Sequence, residues 1–382
     1  MGICGGKPAN VAHASSTQML EDMLNEKGKF SSKYSKNQTK TVSFNKPSKS
    51  HKNDNFPVPG HLKAFSLSDL KIATKNFRPD SLLGEGGFGQ VFKGWVDETT
   101  FAPAKPGTGL VIAVKILKAD SRQGHREWLP ELDYMGRLHH KNLVKLYGYC
   151  SESNNRLLLY ELMPKGCLDN HLFKKSVEPM PWATRMRIAF DVTEGLACLH
   201  SQEPSIIYRD LKASNIVLDT DFNAKLSDFG LARNGPEGDS THVSTRVVGT
   251  NGYAAPEYIA TGHLTPKNDV YSFGVVLLEL LSGRRAIADE RAGGVEETLV
   301  EWVKPFLHDS RRTLRIMDVR LGGQYSKKGA QAIAALASKC LHNDHRFRPT
   351  MADVLASLKN IQNSQKEVPR ISPDPEQRRS LM

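Results

Sequence analysis

Three oxygen-bearing side chains have types and spacing that suit the binding of a metal-bound triphosphate. Asp228 opens an Asp-Phe-Gly run and lies 18 residues after Asp210, which belongs to the segment Tyr208–Asn215. Mg²⁺ prefers carboxylate, amide and phosphate oxygens, usually one or two carboxylates plus substrate phosphates. Asp228 and Asn215 are therefore the candidate metal ligands. Asp210 is then the candidate base that accepts a hydroxyl proton.

A glycine-rich run lies upstream, with Gly84, Gly86 and Gly89 in the pattern Gly-x-Gly-x-x-Gly. Glycine lets the backbone approach phosphates without a Cβ clash and adopt positive φ. By itself this pattern also fits a dinucleotide site or a plain hairpin. A dinucleotide-binding fold enters a helix directly after the glycines, whereas residues 91–95 continue as a strand. The run therefore favours a phosphate-covering hairpin.

Lys115, Glu131 and Lys212 add charges to this set. A β-branched strand pattern begins at Val111 and includes Lys115. A lysine within such a strand is usually solvent-facing. A buried lysine without an anionic partner tends to lose its charge, so a phosphate-directed Lys115 needs a carboxylate from the helix that follows. Glu131 is the candidate partner. Lys212 is the candidate for neutralising the transferring phosphate.

The order of these motifs resembles the signature set of protein kinases. The glycine run comes first, Lys115 and Glu131 follow, then the segment around Asp210, then Asp228, and finally Ala255-Pro256-Glu257. The resemblance implies transfer of the ATP γ-phosphate with Mg²⁺, for which Mn²⁺ is an alternative. Strand patterns precede residue 162 and helical spacing follows residue 168. We therefore expect an α+β bilobal fold, with a small β-rich lobe and a larger helical lobe.

Residues 65–361 are similar to plant receptor-like cytoplasmic kinases, through the phrases 106–109, 142–150 and 269–274. The resemblance implies a set of ATP contacts: Leu83, Gly84, Glu85, Gly86, Gly87, Phe88, Gly89, Gln90, Val91, Ala113, Lys115, Tyr160, Glu161, Met163 and Val217. In that set Tyr160 is the gatekeeper, and Glu161 and Met163 are backbone hinge contacts to adenine. The ring is sandwiched by Val91, Ala113 and Val217.

The resemblance also implies that Asp269 braces the catalytic loop and that Arg348 pairs with Glu257. Lys212 and the Gly-Thr pair that ends at Thr250 resemble Ser/Thr kinases rather than Tyr kinases.

An activation loop belongs between Asp228 and Glu257, and the segment 239–246 occupies that interval. Its hydroxyls are candidates for phosphorylation, foremost Ser244 and Thr245. An added dianion would be bound by Arg209. An ordinary polar loop is the alternative. The full set of candidate phosphosites is Thr241, Ser244, Thr245 and Thr250.

Two positions depart from the kinase pattern. Tyr208 stands where most kinases have His, a packing position at which we expect little cost. Pro130 precedes Glu131 inside a predicted helix, where a proline removes one hydrogen bond and costs about 3 kcal/mol. We expect this helix to kink or start late, so that Glu131 moves away from Lys115 and Glu127 is a conceivable substitute. Catalysis would then be weak or dependent on activation.

The domain prediction places a kinase domain at 64–361, with an N-lobe at 64–162 and a C-lobe at 163–361. Flanking segments 1–63 and 362–382 are polar and are predicted to be disordered. The chain carries a formal charge of +11. Ten Lys against four acidic residues give residues 1–63 a net +6. No basic groove interleaved with aromatic residues is present, so we expect no nucleic-acid partner.

The start Met1-Gly2-Ile3-Cys4 resembles an acylated N-terminus, with Gly2 for myristate and Cys4 for palmitate. The myristoylation pattern has Ser or Thr at position six, whereas this chain has Gly6. One myristoyl chain binds membranes only marginally, so palmitate and the lysine-rich tail would supply the second signal. We therefore expect a lipid anchor at the cytoplasmic face of the plasma membrane.

The five cysteines are scattered and contain no Cys-x-x-Cys pair, which indicates neither a disulfide framework nor a zinc site. No early apolar segment marks a signal peptide. Taken together, the sequence predicts a Ser/Thr protein kinase that acts on protein substrates below a receptor-like kinase. The alternative is a pseudokinase scaffold disabled by Pro130.

Overall fold

The computed structural model describes residues 62–86, 89–117, 122–174, 178–287, 297–307 and 309–366. Gly2, Cys4, Gly87 and Phe88 lie outside these residues, as do almost all of segment 1–63 and most of segment 362–382. Four cysteines lie within them and are unbonded, namely Cys150, Cys167, Cys198 and Cys340. Within the same ranges, no helix is long and apolar enough to cross a membrane.

A six-stranded sheet forms the N-lobe. Its strands are β1 (Lys63–Ala64), β2 (Leu82–Gly86), β3 (Gly89–Val96), β4 (Leu110–Leu117), β5 (Leu146–Glu152) and β6 (Asn155–Glu161). They lie in the order β1-β5-β6-β4-β3-β2. The β1–β5 pair is parallel and the other pairs are antiparallel. The predicted hairpin at the glycine run and the predicted strand that begins at Val111 and contains Lys115 are confirmed.

Two helices pack on this sheet. Helix α1 (Leu67–Ala73) begins at Ser66, whose side chain accepts from the Asp69 amide and so satisfies one orphan N–H. Helix α2 (Arg122–Arg137) runs without interruption through Pro130. The proline leaves the carbonyl of residue 126 without its helical partner, and that position is exposed, so water can hydrogen-bond there.

The C-lobe is mainly helical. Its helices are α3 (Leu168–Leu172), α4 (Trp182–His200), α5 (Pro256–Thr261), α6 (Pro266–Ser282), α7 (Leu299–Leu307), α8 (Ser310–Thr313), α9 (Lys327–Cys340) and α10 (Met351–Lys366). Short 3₁₀ turns occupy Pro79–Ser81, Ala213–Asn215, Leu314–Ile316, Val319–Leu321 and His345–Phe347. Helix α10 extends beyond residue 361, where the folded domain was predicted to end.

Helix α6 is the centre of the C-lobe core. Thr265 and Asn268 form a reciprocal capping box at its start, and Gly283 ends it in a left-handed conformation. Phe273, Val275 and their apolar neighbours have no exposed surface. Such all-round burial explains the continuous apolar run of this segment.

The C-lobe also contains short strands. They are β7 (Gly166–Cys167), β8 (Ile206–Ile207), β9 (Ile216–Leu218), β10 (Ala224–Leu226), β11 (Arg233–Asn234), β12 (Val243–Ser244) and β13 (His263–Leu264). The hairpin β9–β10 is antiparallel, and β7 pairs with β9. This hairpin carries residues 215 and 228 at its two ends, so it brings the two candidate metal ligands to one place.

Candidate active site

Lys115 projects from β4 into a buried cluster of carboxylates. Its Nζ lies 2.8 Å from Glu131 Oε2 and 2.9 Å from Asp228 Oδ1. Burial alone would lower the pKa of Lys115, but attraction to Asp228 and Glu131 outweighs it and raises that pKa. Burial pushes the pKa of Asp228 up, yet Lys115 pulls it below its usual value. These directions favour the charged forms of Lys115 and Asp228, whereas burial raises the pKa of Glu131.

Glu131 remains beside Lys115, so the expectation that Pro130 would displace it is wrong. The helix continues through the proline because only one backbone hydrogen bond is lost, at an exposed position. Glu127 packs against Gly230 instead, where an added Cβ would come within 2.9 Å of the Glu127 Cβ. The Asp-Phe-Gly run therefore needs its glycine.

Asp210 lies in the loop after β8, and its carboxylate is surrounded by donors. The Asn215 amide donates to Asp210 Oδ2 at 2.9 Å, and Lys212 Nζ is also 2.9 Å from Oδ2. Thr250 donates its hydroxyl to Asp210 Oδ1 at 2.7 Å and accepts from Lys212 Nζ at 2.9 Å. From the sequence, Thr250 was a candidate phosphosite and part of the resemblance to Ser/Thr kinases. Its position in the motif Gly249-Thr250 carried no sequence signal for this bridge.

Asp269 of α6 hydrogen-bonds to the backbone of the catalytic loop. Its two carboxylate oxygens accept from the backbone amides of Tyr208 and Arg209, each at 2.8 Å. The ring of Tyr208 packs edge-on against Phe229, with centroids 5.1 Å apart, and its hydroxyl donates to the Ser227 carbonyl. Tyr208 thus contacts the residues on either side of Asp228, which is more than the packing role expected from the sequence.

Asn215 and Asp228 fit the chemistry of a Mg²⁺ site. The Asn215 amide nitrogen donates to the backbone and side chain of Asp210, which leaves its oxygen as the ligand atom. Asp228 adopts φ 63°, an uncommon left-handed conformation of the type that recurs at functional sites. No group of three His, Cys, Asp or Glu side chains within the described residues is placed to hold a metal. The ion would therefore need phosphate oxygens as well.

Most of the predicted adenine contacts lie on the N-lobe sheet. Ala113 of β4 is the register partner of Tyr160 of β6, while Val217 lies on β9, where its register partner is Cys167. The remaining described members lie on β2, on β3, at the end of β6 and just after it, namely Leu83, Gly84, Glu85, Gly86, Gly89, Gln90, Val91, Glu161 and Met163. At Gly89 a Cβ would lie 1.9 Å from the Ile116 carbonyl oxygen, so only glycine fits there.

A cleft of about 510 Å³ lies between α2 and the segment after β11. Arg126, Arg209, Arg233 and Arg246 line it together with Thr245. The Arg233 guanidinium donates to the Thr245 hydroxyl at 3.3 Å. The Arg209 Nε is buried and has no hydrogen-bond partner among the described residues. By contrast, Thr241 and Ser244 are exposed.

A buried pair behind this segment was not predicted. Tyr253 donates its hydroxyl to Glu279 Oε1 at 2.6 Å, and the Ala286 amide donates to the same oxygen at 3.0 Å. Burial raises the pKa of Glu279 to about 8. The only sequence signal was a glutamate inside an otherwise apolar helix. Farther along, buried Arg348 donates to both oxygens of Glu257, each at 2.7 Å.

The bilobal fold and the Lys–Glu–Asp cluster in its cleft define a protein kinase. A family model described as "Protein kinase domain" matches residues 77–358. The chain thus belongs to the protein kinase family, and more narrowly to the plant receptor-like cytoplasmic kinases with Ser/Thr specificity.

Three relatives show how extensive this similarity is. "Probable serine/threonine-protein kinase PBL18" of Arabidopsis thaliana is 54% identical over 376 residues, 96% of each chain. "Probable serine/threonine-protein kinase PBL4" of the same species is 61% identical over 302 residues, 79% of this chain and 73% of the relative. "Receptor-like cytoplasmic kinase 176" of Oryza sativa subsp. japonica is 56% identical over 335 residues, 87% of this chain and 84% of the relative. The pseudokinase alternative is not supported.

Proposed function

We propose that the chain transfers the ATP γ-phosphoryl group to protein hydroxyls with Asp210 as the base and with Lys115 and Lys212 as phosphate-directed cations. The observation that carries this assignment is the convergence of three segments on one cleft. Lys115 lies 2.9 Å from Asp228, which follows it by 113 residues. The amide of Ser227, next to Asp228, donates to the carbonyl of Asn215, whose side chain donates to Asp210. Phosphoryl transfer depends mostly on positioning and charge stabilisation. The hydrogen bonds around these side chains supply that positioning.

Each side chain has a defined part in this reaction. The substrate hydroxyl oxygen bonds to the γ-phosphorus while the bond to the β,γ-bridging oxygen breaks, and ADP leaves. Asp210 accepts the hydroxyl proton, and Lys212 lies beside it to balance negative charge. Glu131 holds Lys115 in the cleft. Mg²⁺ held by Asn215 and Asp228 would neutralise phosphate charge.

The direct test is transfer from MgATP to a generic protein acceptor by the purified chain. Asp210→Asn keeps the size and a donor–acceptor side chain but removes the base, and we expect kcat to fall about 10²–10⁴-fold. Lys115→Met should also abolish transfer. A second measurement, ADP binding by calorimetry, separates lost chemistry from lost folding. Wild-type-like transfer by Asp210→Asn would refute the assignment.

Thr245 is the hydroxyl that we propose as the activating phosphosite. It lines the arginine-rich cleft, and each phosphate–guanidinium contact there would be a charge-assisted hydrogen bond between α2 and the activation segment. Ser244 and Thr241 are exposed and are the less favoured sites. A phosphate on Thr250 would place a dianion beside Asp210 and inactivate the enzyme. Phosphosite mapping of active protein, with Thr245→Ala and Ser244→Ala as a matched pair, tests this order.

We further propose that the enzyme is anchored at the cytoplasmic face of the plasma membrane through acylated Gly2 and Cys4, and that it acts below a receptor-like kinase. The support is the Met-Gly-Ile-Cys start, the net +6 of residues 1–63 and the printed name of the rice relative. Gly2→Ala should move the protein from the membrane pellet to the soluble fraction. An unchanged distribution would rule out the anchor.

A further inference from the structure

The carboxylate of Glu161 joins three segments behind the hinge. Lys225 Nζ lies 2.7 Å from Oε1 and 2.8 Å from Oε2 of Glu161. The Lys145 amide donates to the same Oε1 at 2.7 Å, and the Glu161 amide donates back to the Lys145 carbonyl at 3.0 Å. The Glu161 and Lys225 side chains are only 21% and 20% exposed. The pair is therefore partly shielded from solvent and salt.

These segments are also joined through their backbones. The Val144 amide donates to the Leu226 carbonyl at 3.0 Å, and the Leu226 amide donates to the Asn142 carbonyl at 2.9 Å. Segment 142–145, which precedes β5, is thus attached to β10. The ion pair adds the end of β6 to this junction.

The junction lies between the part of the site assigned to adenine and the part that carries the candidate metal ligand Asp228. Glu161 follows Tyr160 directly and lies two residues before Met163, in the stretch whose backbone is assigned to adenine. Lys225 lies three residues before Asp228, a candidate metal ligand. The Glu161–Lys225 ion pair thus links the stretch assigned to adenine with the strand that precedes Asp228.

We propose that the Glu161–Lys225 ion pair positions the hinge relative to β10 and thereby sets the affinity for adenine nucleotides. The inference rests on the proposed function, and it gives the Glu161 side chain a role beyond the backbone contact assigned to this residue. An interaction made in the assembled arrangement favours it over arrangements in which the hinge and β10 separate. The apparent affinity for nucleotide then rises with the fraction of the protein in the assembled arrangement, by at most the free energy of that interaction. Glu161 and Lys225 are positioning residues, because neither side chain is assigned to the reacting atoms.

The test compares the full-length chain with Glu161→Gln, Lys225→Met and the double variant. Glutamine keeps an oxygen that can accept from the Lys145 amide, so it removes mainly the charge. We expect the ADP Kd and the ATP KM to rise about three- to tenfold in each single variant, the range that a typical intramolecular hydrogen bond contributes. The double variant should be no weaker than the worse single variant, because both break one interaction. Lys225→Arg should keep most of the wild-type affinity, and kcat of the two Lys225 variants should stay within about twofold.

Lys141→Met is the matched control. Lys141 Nζ lies 2.6 Å from Glu194 Oε2 and links the neighbouring loop to α4 without touching the hinge. Its nucleotide affinity should equal that of wild type. The inference is overturned if wild type binds ADP and transfers phosphate but the hinge variants keep its ADP Kd. It is also overturned if the control weakens ADP binding equally, or if the variants turn over faster at unchanged affinity. A wild-type chain that binds no ADP refutes the proposed function instead.

Discussion

Lys115 Nζ lies 2.8 Å from Glu131 Oε2 although a proline directly precedes Glu131 in helix α2. The lysine is at the same time 2.9 Å from Asp228 Oδ1, so one ammonium joins the N-lobe helix to the metal-ligand candidate of the C-lobe. Removing one partner of a buried charge pair leaves an uncompensated charge, which is costly. The assembled cleft therefore depends on all three side chains.

Pro130→Ala should leave catalysis close to wild type. The proline does not displace Glu131, so kcat/KM in the phosphotransfer assay is expected to stay within about twofold. Unfolding by denaturant should show a gain of about 1–3 kcal/mol, because alanine restores one helical hydrogen bond. A large rise in kcat/KM would instead mean that Pro130 restrains the active arrangement in solution.

Glu131→Gln should lower kcat/KM by two orders of magnitude or more. The substitution removes the charge that holds Lys115, and small displacements of such groups cost about 10²-fold. Glu127→Gln on the same helix is the comparison, since Glu127 packs on Gly230 and leaves the Lys115–Glu131 contact intact. Equal losses in the two variants would contradict the assignment of Glu131 as the lysine's partner.

Thr250→Ala should reduce kcat by about ten- to a hundredfold, while Thr250→Ser should remain near wild type. The hydroxyl bridges Asp210 and Lys212, and serine keeps that hydroxyl. ATP KM should change little in both variants, because the Thr250 hydroxyl contacts Asp210 and Lys212 rather than a residue assigned to adenine. Parallel loss of activity in the serine variant would show that the methyl group, not the bridge, is what matters.

Glu279 should make the stability of the enzyme depend on pH. Its pKa is raised to about 8 by burial, so the folded state holds a proton that the unfolded state releases above its ordinary pKa near 4.5. Its contribution to stability is therefore present at low pH and is lost as pH rises towards 8. Glu279→Gln is neutral throughout and lacks this loss.

The measurement is the difference in unfolding free energy between Glu279→Gln and wild type at pH 5, 7 and 9. That difference should move in favour of the variant with rising pH, by on the order of 4 kcal/mol between pH 5 and pH 9. Using a difference cancels the other titrating groups. A difference that stays constant with pH would show that Glu279 is ionised throughout.

Short-range chemistry made much of this architecture predictable. A run of β-branched residues marked β4, because this signal acts within a few residues. The catalytic segments were predictable for a related reason: Asp210 and Asn215 lie on one short loop, where chain connectivity alone keeps them together.

The end of α10 and the effect of Pro130 were predicted less well. A polar composition does not by itself end a helix, and α10 runs to Lys366. A proline lowers helix stability locally, but packing of α2 on the sheet decides whether the helix persists. Buried Trp128 and Leu132 contribute to that packing on either side of the proline.

The sequence by itself determined which candidate groups are present: a candidate base, two candidate metal ligands, two lysines proposed to face phosphate and a glycine-rich hairpin, in the order of a protein kinase. Only the tertiary structure decided which partners these groups have. Three contacts join residues that are 26 to 64 positions apart: the hydrogen bond from Thr250 to Asp210, the hydrogen bond from Tyr253 to Glu279, and the Glu161–Lys225 ion pair. No local propensity specifies such contacts, because they arise where separately folded segments are brought together by burial of a common core.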